Sequence, residues 1–312
     1  MRDSCHSLGS ERVLMTAEQK SRRDVLKYAG VAIGGLVVGG AAGWLAKPTP
    51  MVTPLVTPNA TVTTVTQTAS SAAAKFGTAP AAGTPITIVH GFDAAYPPFT
   101  QVTTSGQVVG FDVDVLGIIA KNNGWTVVEK PWQWASIITA LENGDLDVVM
   151  SGLTMLASRA DVISFSLPYY PVYHEIVALA TNKQTLNQIL NSGGFISVET
   201  GSAADQWATK LLAAGMKFSK LGLDTYELAL EAVGDGRAVG SLTDSSWLNP
   251  LLAKNPTMAA EYKIVGMIGG FSTYGVGTRN GDSWLRGMIN HGLEDLMGTT
   301  QWDDLESKWG LS

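Results

Sequence analysis

The chain has 312 residues, of which 45% are hydrophobic and 15% charged, a composition typical of a globular protein with a sizeable core. Its formal net charge is −6, but the sign is unevenly distributed: residues 1–47 hold 7 Lys and Arg against 4 Asp and Glu, and the rest holds 14 against 23. An acidic body has too few cations to neutralise a run of phosphates, which argues against nucleic acid as a partner.

Cysteine and histidine usage argues against two further classes. The single cysteine, Cys5, rules out an intrachain disulfide framework and a cysteine-based zinc site. The four histidines are scattered without the spacing of metal ligands, at His6, His90, His174 and His291. We therefore expect neither a metal nor a cofactor.

Residues 1–47 have the pattern of an export signal. The basic stretch at 21–27, SRRDVLK, precedes an uncharged run at 28–46 that is rich in Gly, Ala and Val. The paired arginines resemble a twin-arginine signal, with Val25 where Phe is more usual. The glycine density argues against an ordinary buried helix. We expect a periplasmic or extracellular protein.

Cleavage of this signal is left open by the sequence. Small residues at 40–42 suit a signal peptidase. The apolar run of about 18 residues is also long enough to span a bilayer if it is retained. No cysteine follows the run, so a bacterial lipid anchor is excluded. The mature protein is either released or tethered to the membrane by this segment.

Residues 48–83 form a compositionally distinct linker. They are mostly Thr, Pro, Ala, Ser and Val, with Lys75 as their one charged residue. Repeated Thr-Pro and Val-Thr units cannot bury a core and resist helix formation. We predict an extended, solvated stalk.

Strands and helices alternate from about residue 84 to the end. Strands are predicted at 86–91, 127–131, 147–152, 196–199 and 238–243, and helices at 112–123, 136–143, 203–214 and 226–233. Asp112 is predicted to cap the first helix. Such alternation favours mostly parallel sheets with helices on their faces. About 228 residues is large for a single core, so two lobes are expected.

The strand-to-helix junctions carry the candidate ligand-binding residues, because ligands of open α/β sheets bind beyond the carboxyl ends of the strands. These junctions hold hydroxyls, glycines and single charges, a set that suits a small zwitterion. An arginine can take a carboxylate with two parallel hydrogen bonds, and a carboxylate can take an ammonium. The candidates are Asp93, Tyr96, Trp134, Ser151, Gly152, Thr154, Arg159, Ser202 and Asp244.

Five motifs occur in order along this region. They are DAAYPPF at 93–99, VGFDVD at 109–114, the segment 134–141, GDLD at 144–147 and SLPYY at 166–170. In this order and spacing they resemble the family-3 extracellular solute-binding proteins of polar amino-acid ABC transporters. The resemblance covers nearly all of residues 84–312.

The resemblance implies the type 2 periplasmic-binding-protein fold, in which two α/β lobes are joined by two hinge strands and close on a ligand in the cleft between them. Lobe 1 would comprise 84–171 and 271–312, and lobe 2 would comprise 174–266. The closed form would deliver a polar or basic amino acid to the permease subunits of an ABC transporter.

The resemblance also implies a role for each candidate. Arg159 would bind the α-carboxylate of the ligand and Asp244 its α-ammonium group. Tyr96 and Trp134 would sandwich the side chain, whose far end would meet Asp93. Further hydrogen bonds would come from the small and hydroxyl residues of the two junctions, Ser151, Gly152, Thr154 and Ser202.

Some of these residues have structural alternatives. Asp244 could cap the helix that follows it, Trp134 could belong to the core, and Asp93 could brace its own turn. Glu199, outside the predicted site, would favour a basic ligand if it faced the cleft.

Two other functions stay open beside transport. One is a ligand-sensing subunit of a signalling system. The other is an enzyme resembling the periplasmic cyclohexadienyl dehydratase of the same fold, which needs a general acid. Glu199 is the one obvious acid, and no base, nucleophile or metal accompanies it in the pattern. We therefore expect a binding protein and not an enzyme.

Overall fold

The computed structural model describes residues 73–312. The predicted export segment and most of the predicted stalk lie outside the described residues. Between residues 73 and 312 no helix is long and apolar enough to cross a membrane.

The described part of the chain forms thirteen strands and ten helices. The strands are β1 (Thr87–Phe92), β2 (Ala95–Tyr96), β3 (Thr100–Val102), β4 (Val108–Val109), β5 (Thr126–Pro131), β6 (Val148–Val149), β7 (Ile163–Phe165), β8 (Tyr170–Leu179), β9 (Phe195–Glu199), β10 (Ser219–Leu223), β11 (Gly240–Asp244), β12 (Tyr262–Tyr274) and β13 (Gly277–Arg279). The helices are α1 (Phe111–Asn122), α2 (Trp134–Asn143), α3 (Ala157–Ala160), α4 (Leu186–Leu190), α5 (Ala203–Ala213), α6 (Tyr226–Gly234), α7 (Ser245–Lys254), α8 (Pro256–Glu261), α9 (Ser283–Leu296) and α10 (Thr300–Trp309).

Two five-stranded sheets organise these elements. The first has the order β5-β1-β6-β13-β7 and the second β10-β9-β11-β8-β12. In each sheet two neighbouring pairs are parallel and the other two are antiparallel, so the sheets are mixed and not mostly parallel as predicted. The antiparallel pairs arise because β13 and β8 enter their sheets from the opposite direction. We call the part built on the first sheet the first lobe and the part built on the second sheet the second lobe.

Two long strands connect the lobes. The chain enters the second sheet through β8 and leaves it through β12, and these strands pair antiparallel from Leu179 and Tyr262 to Tyr170 and Tyr274. Their register shifts twice, once between Ile268 and Ser272. Two α/β lobes joined by two crossing strands confirm the predicted fold class. The exact lobe boundaries stay a prediction.

The start of helix α1 corrects one prediction. The cap position is Gly110, and no side chain caps the helix, so the predicted capping role of Asp112 is wrong. Gly110 has φ 150°, and a Cβ there would lie 1.9 Å from the carbonyl oxygen of Phe99, so only glycine fits. The Asp112 side chain turns inward instead and accepts hydrogen bonds from the Gly152 backbone N–H at 2.7 Å and the Tyr169 hydroxyl at 2.8 Å.

The end of the predicted stalk packs against the first lobe. Phe76 is buried, its ring centre lies 6.2 Å from that of Trp284, and its N–H donates to Asp282 Oδ1 at 2.8 Å. Lys75 forms a 2.7 Å ion pair with Asp147. The composition predicts a solvated linker to residue 83, but the aromatic ring in this run of small residues gains free energy by burial.

Replacing Phe76 with Ala should lower the free energy of unfolding by about 3 kcal/mol, because a buried aromatic side chain is lost from the core. Chemical denaturation of the wild type and the variant measures this difference. Phe195→Ala is the matched control, since Phe195 is 48% exposed, and it should change stability by only about 0.5 kcal/mol. Equal losses in the two variants would contradict the packed position of Phe76.

Candidate ligand-binding site

A narrow cavity lies between the two lobes, and the free space inside it is about 10 Å³, room for roughly one water molecule. The lobes are therefore close together at this site, and an amino acid could enter only if they moved apart. The lining residues lie at the carboxyl ends of β1, β6, β9 and β11, in β2 and at the starts of α2, α5 and α6, and they are Asp93, Tyr96, Trp134, Ser151, Gly152, Thr154, Glu199, Ser202, Ala203, Tyr226 and Asp244. Eight of the nine predicted site residues are among them, and the ninth, Arg159, lies directly behind the lining.

Arg159 is a buried cation held from both lobes. Its Nη1 donates to the Thr154 carbonyl at 2.9 Å, and its Nη2 donates to the Gly201 carbonyl of the second lobe at 3.0 Å. The guanidinium carbon lies 5.4 Å from the ring centre of Trp134. Burial lowers the pKa of Arg159 to about 10, so the group stays charged at neutral pH. A fixed guanidinium of this kind can pair with a carboxylate.

Asp244 is a buried carboxylate on the opposite lobe. His174 Nδ1 lies 2.8 Å from its Oδ1, and its Oδ2 accepts hydrogen bonds from the hydroxyls of Tyr96 at 2.9 Å and Tyr274 at 3.1 Å. Burial alone would raise the pKa of Asp244, but the hydrogen bond and charge of His174 and the Tyr96 hydroxyl lower it below its usual value. Asp244 precedes α7, yet its side chain makes no capping bond there.

Asp93 and Glu199 bring two more acids to the cavity, one from each lobe. Both carboxyl groups line the same cavity and are close enough for each to shift the pKa of the other. Asp93 Oδ1 also accepts from the Ala95 N–H at 2.7 Å, so Asp93 braces its own turn while lining the cavity. Burial raises the pKa of both carboxyl groups, and that of Glu199 is raised further by the negative charge of Asp93.

The aromatic residues at the site have mixed roles. Tyr96 lines the cavity and its hydroxyl lies 2.6 Å from that of Tyr274. Trp134 lines the cavity and also packs in a small core cluster with Ile137 and Leu141, so the pocket and core interpretations both hold. Tyr226 lines the opposite side, where its ring stacks on Trp247.

The hydroxyl residues predicted to contact the ligand also have structural partners. Ser151 Oγ accepts from the Asp93 N–H at 3.0 Å, and Ser202 caps α5 by accepting from the Asp205 N–H at 3.0 Å. A hydroxyl has one donor and two acceptor positions. Ser151 Oγ also lies 2.6 Å from Thr100 Oγ1, whose own proton goes to the Asp93 carbonyl, so Ser151 donates to Thr100 and keeps one acceptor position. Thr154 offers its carbonyl to Arg159 and bridges to the crossing strand at Tyr274.

Three lining residues lie outside the predicted set. Glu199 is the last residue of β9 and Tyr226 the first of α6, so the junction rule that selected Asp244 could have selected both. Ala203 follows Ser202 in the same junction. Tyr274, which contacts Asp244 from the crossing strand β12, carries no junction pattern in the sequence.

The fold and this cleft define a two-lobed α/β binding protein, and comparison with known proteins gives its family. Residues 88–312 match the family described as "Bacterial extracellular solute-binding proteins, family 3". Because the match covers more than half of the chain, the chain belongs to this family.

Relatives of known name agree with this assignment. A probable histidine-binding protein of Neisseria gonorrhoeae is 28% identical over 220 residues, which are 70% of this chain and 80% of that protein. An ancestral arginine-binding protein bound to arginine is 31% identical, with a TM-score of 0.65 over 72% of this chain and 97% of that one. The ancestral arginine-binding protein bound to glutamine is 33% identical, with a TM-score of 0.64 over 73% and 100%. These relatives are binding proteins and not enzymes.

Gly152 should be intolerant of a side chain. Its φ is +57°, and a Cβ there would lie 2.3 Å from Cε1 of Tyr96. Gly152→Ala should lower the free energy of unfolding by about 1–2 kcal/mol and displace the Tyr96 ring, which chemical denaturation and near-ultraviolet circular dichroism measure.

Gly117→Ala is the matched control for this substitution. Gly117 lies in helix α1, and a Cβ there would meet no atom within 4 Å. Stability should then rise by about 0.5–1 kcal/mol, since alanine favours the helix. A Gly152→Ala protein as stable as the wild type, with an unchanged aromatic spectrum, would show that Tyr96 does not pack on this glycine.

Proposed function

We propose that this chain is the amino-acid-binding component of an ABC transporter, and that its ligand is a polar amino acid. One observation carries the proposal: a buried guanidinium, Arg159, and a buried carboxylate, Asp244, are held at one cavity from opposite lobes. Such a pair is complementary to the two charges of an α-amino acid. The names of the relatives, which specify histidine, arginine and glutamine, support the same class of ligand.

The proposed binding pose follows from the positions of these charges. The ligand's α-carboxylate pairs with Arg159 and its α-ammonium with Asp244, where it competes with the tyrosine hydroxyls for Oδ2. The side chain passes between Tyr96 and Trp134 toward Asp93. Hydrogen bonds with Ser151, Gly152, Thr154 and Ser202 complete the pose.

Lobe closure is the proposed response to the ligand. Several bonds already cross the cleft: Arg159 reaches the Gly201 carbonyl, and the Ser158 hydroxyl donates to Gln206 at 2.9 Å. The two rigid parts would be 84–171 with 271–312, and 174–266, as the family resemblance implies. A ligand that binds groups on both lobes favours the closed form, which the permease subunits would recognise.

The cellular setting belongs to the same proposal. Members of the family are extracellular or periplasmic, and residues 1–47 would direct export by a twin-arginine-like signal. If the apolar run at 28–46 is retained, it would tether the protein to the membrane. Because Phe76 is fixed on the first lobe, the tether would hold that lobe and leave the second lobe free to close.

Arg159→Ala should weaken amino-acid binding by at least about a hundredfold, because it leaves the ligand's carboxylate buried without a partner. Isothermal titration calorimetry of the purified full-length chain with the twenty amino acids, after unfolding and refolding to remove carried-over ligand, measures this loss.

Arg237→Ala is the matched control, since the Arg237 side chain is 49% exposed and pairs with Asp235 at the surface. It should bind as the wild type does. The proposed function fails if the wild type binds no amino acid. The assigned role of Arg159 fails if the folded Arg159→Ala variant keeps wild-type affinity.

A further inference from the structure

Glu199 is a buried acid to which the proposed pose assigns no partner. Its side chain is 2% exposed and lines the cavity, and its Oε1 has no hydrogen-bond partner within residues 73–312. An ionised carboxylate in such surroundings is costly unless a proton or a cation neutralises it. We therefore expect the ligand to supply the group that pairs with this free oxygen.

Asp93 faces Glu199 from the other lobe. Both carboxyl groups line the same cavity and are close enough to shift each other's pKa, and two such groups share a hydrogen bond only if one of them carries a proton. Asp93 Oδ1 accepts the Ala95 N–H, an interaction that favours its ionised form. Two neighbouring buried carboxylates do not both ionise readily, so we assign the proton to Glu199.

The other charged and titratable groups around the pair come from three further elements. The negative charge of Asp244 at the end of β11 raises the pKa of Glu199, and the positive charge of Arg159 in α3 lowers it. Tyr226 at the start of α6 interacts with the Glu199 charge as well. Burial is the largest influence and raises the pKa of Glu199 well above its usual value.

The shared proton determines which side-chain end the cavity can accept. A guanidinium or ammonium group brings a positive charge, which stabilises the doubly ionised pair and so favours loss of the shared proton. An amide or urea group brings no charge and leaves the proton in place, and its N–H can donate to the free Oε1 of Glu199. With the proton present the pair fits a neutral polar end, and without it the pair fits a cation.

We propose that the Asp93–Glu199 pair is a proton-linked specificity site, in which the cationic end of a basic amino acid takes the place of the proton shared between the two carboxyl groups. The proton leaves to solvent as the cation enters, and a neutral side-chain end of the same shape binds with the proton retained. This inference rests on the proposed function and adds Glu199 to the residues that select the ligand.

L-Arginine and L-citrulline are the appropriate probes, because they differ only in a guanidinium and a urea group. Calorimetry of the full-length chain in buffers of different ionisation enthalpy should show release of up to about one proton with arginine and none with citrulline. Arginine affinity should rise by up to about tenfold per pH unit over the range where the free pair is protonated, and citrulline affinity should not.

Glu199→Gln removes the titrating acid and keeps its shape. In this variant arginine binding should weaken by about tenfold or more and lose its proton release, while citrulline binding stays within about threefold of the wild type. Glu175→Gln is the matched control, because Glu175 is a buried glutamate of the same lobe that does not line the cavity. It should leave both ligands and the proton release unchanged.

The outcomes separate the two proposals. Equal proton release or equal pH dependence for arginine and citrulline would overturn the role of the pair while leaving amino-acid binding intact. The same holds if the wild type binds other amino acids but neither probe. A wild type that binds no amino acid overturns both proposals. If Glu199→Gln does not fold, the comparison of arginine with citrulline on the wild type decides alone.

Discussion

Two opposite charges are buried at one cleft, and the need to neutralise them fixes the positions of the residues around it. Arg159 and Asp244 are each 4% exposed, and a charge removed from water is tolerated only with partners in good geometry. Arg159 obtains them from two carbonyls, one on each lobe, and Asp244 from His174, Tyr96 and Tyr274. In the proposed closure of the cleft, the loops that carry these partners must hold their positions, and that requirement would link the site to the movement of the lobes.

The crossing strands participate directly in this link. Tyr274 ends β12, the strand by which the chain returns to the first lobe, and its hydroxyl lies within hydrogen-bonding distance of Asp244 and Tyr96. His174 belongs to β8, the other crossing strand, and reaches the second oxygen of Asp244. A ligand ammonium that competes for Asp244 would therefore disturb contacts made by both strands that connect the lobes.

The sequence predicts the junction residues well and the long-range contacts poorly, for a physical reason. Asp93 and Asp244 are found because strand ends in α/β sheets gather at one edge, a rule that needs only local pattern. The inward turn of Asp112 depends on Gly152, 40 positions away, and the burial of Phe76 depends on Asp282, 206 positions away. No periodicity encodes such pairs.

Glu199 shows the same limit of sequence-based prediction, here for the chemistry of the site. Its position at the end of a strand can be predicted from the sequence. Its effect on ligand binding depends on Asp93, which lies near it on the other lobe. A lone acid facing the cleft would attract a cation by charge alone. Two neighbouring acids hold a proton first, so the cation must displace it, and selectivity then depends on pH as well as on shape. At this site the cationic end of a ligand therefore competes with a proton for the two carboxyl groups.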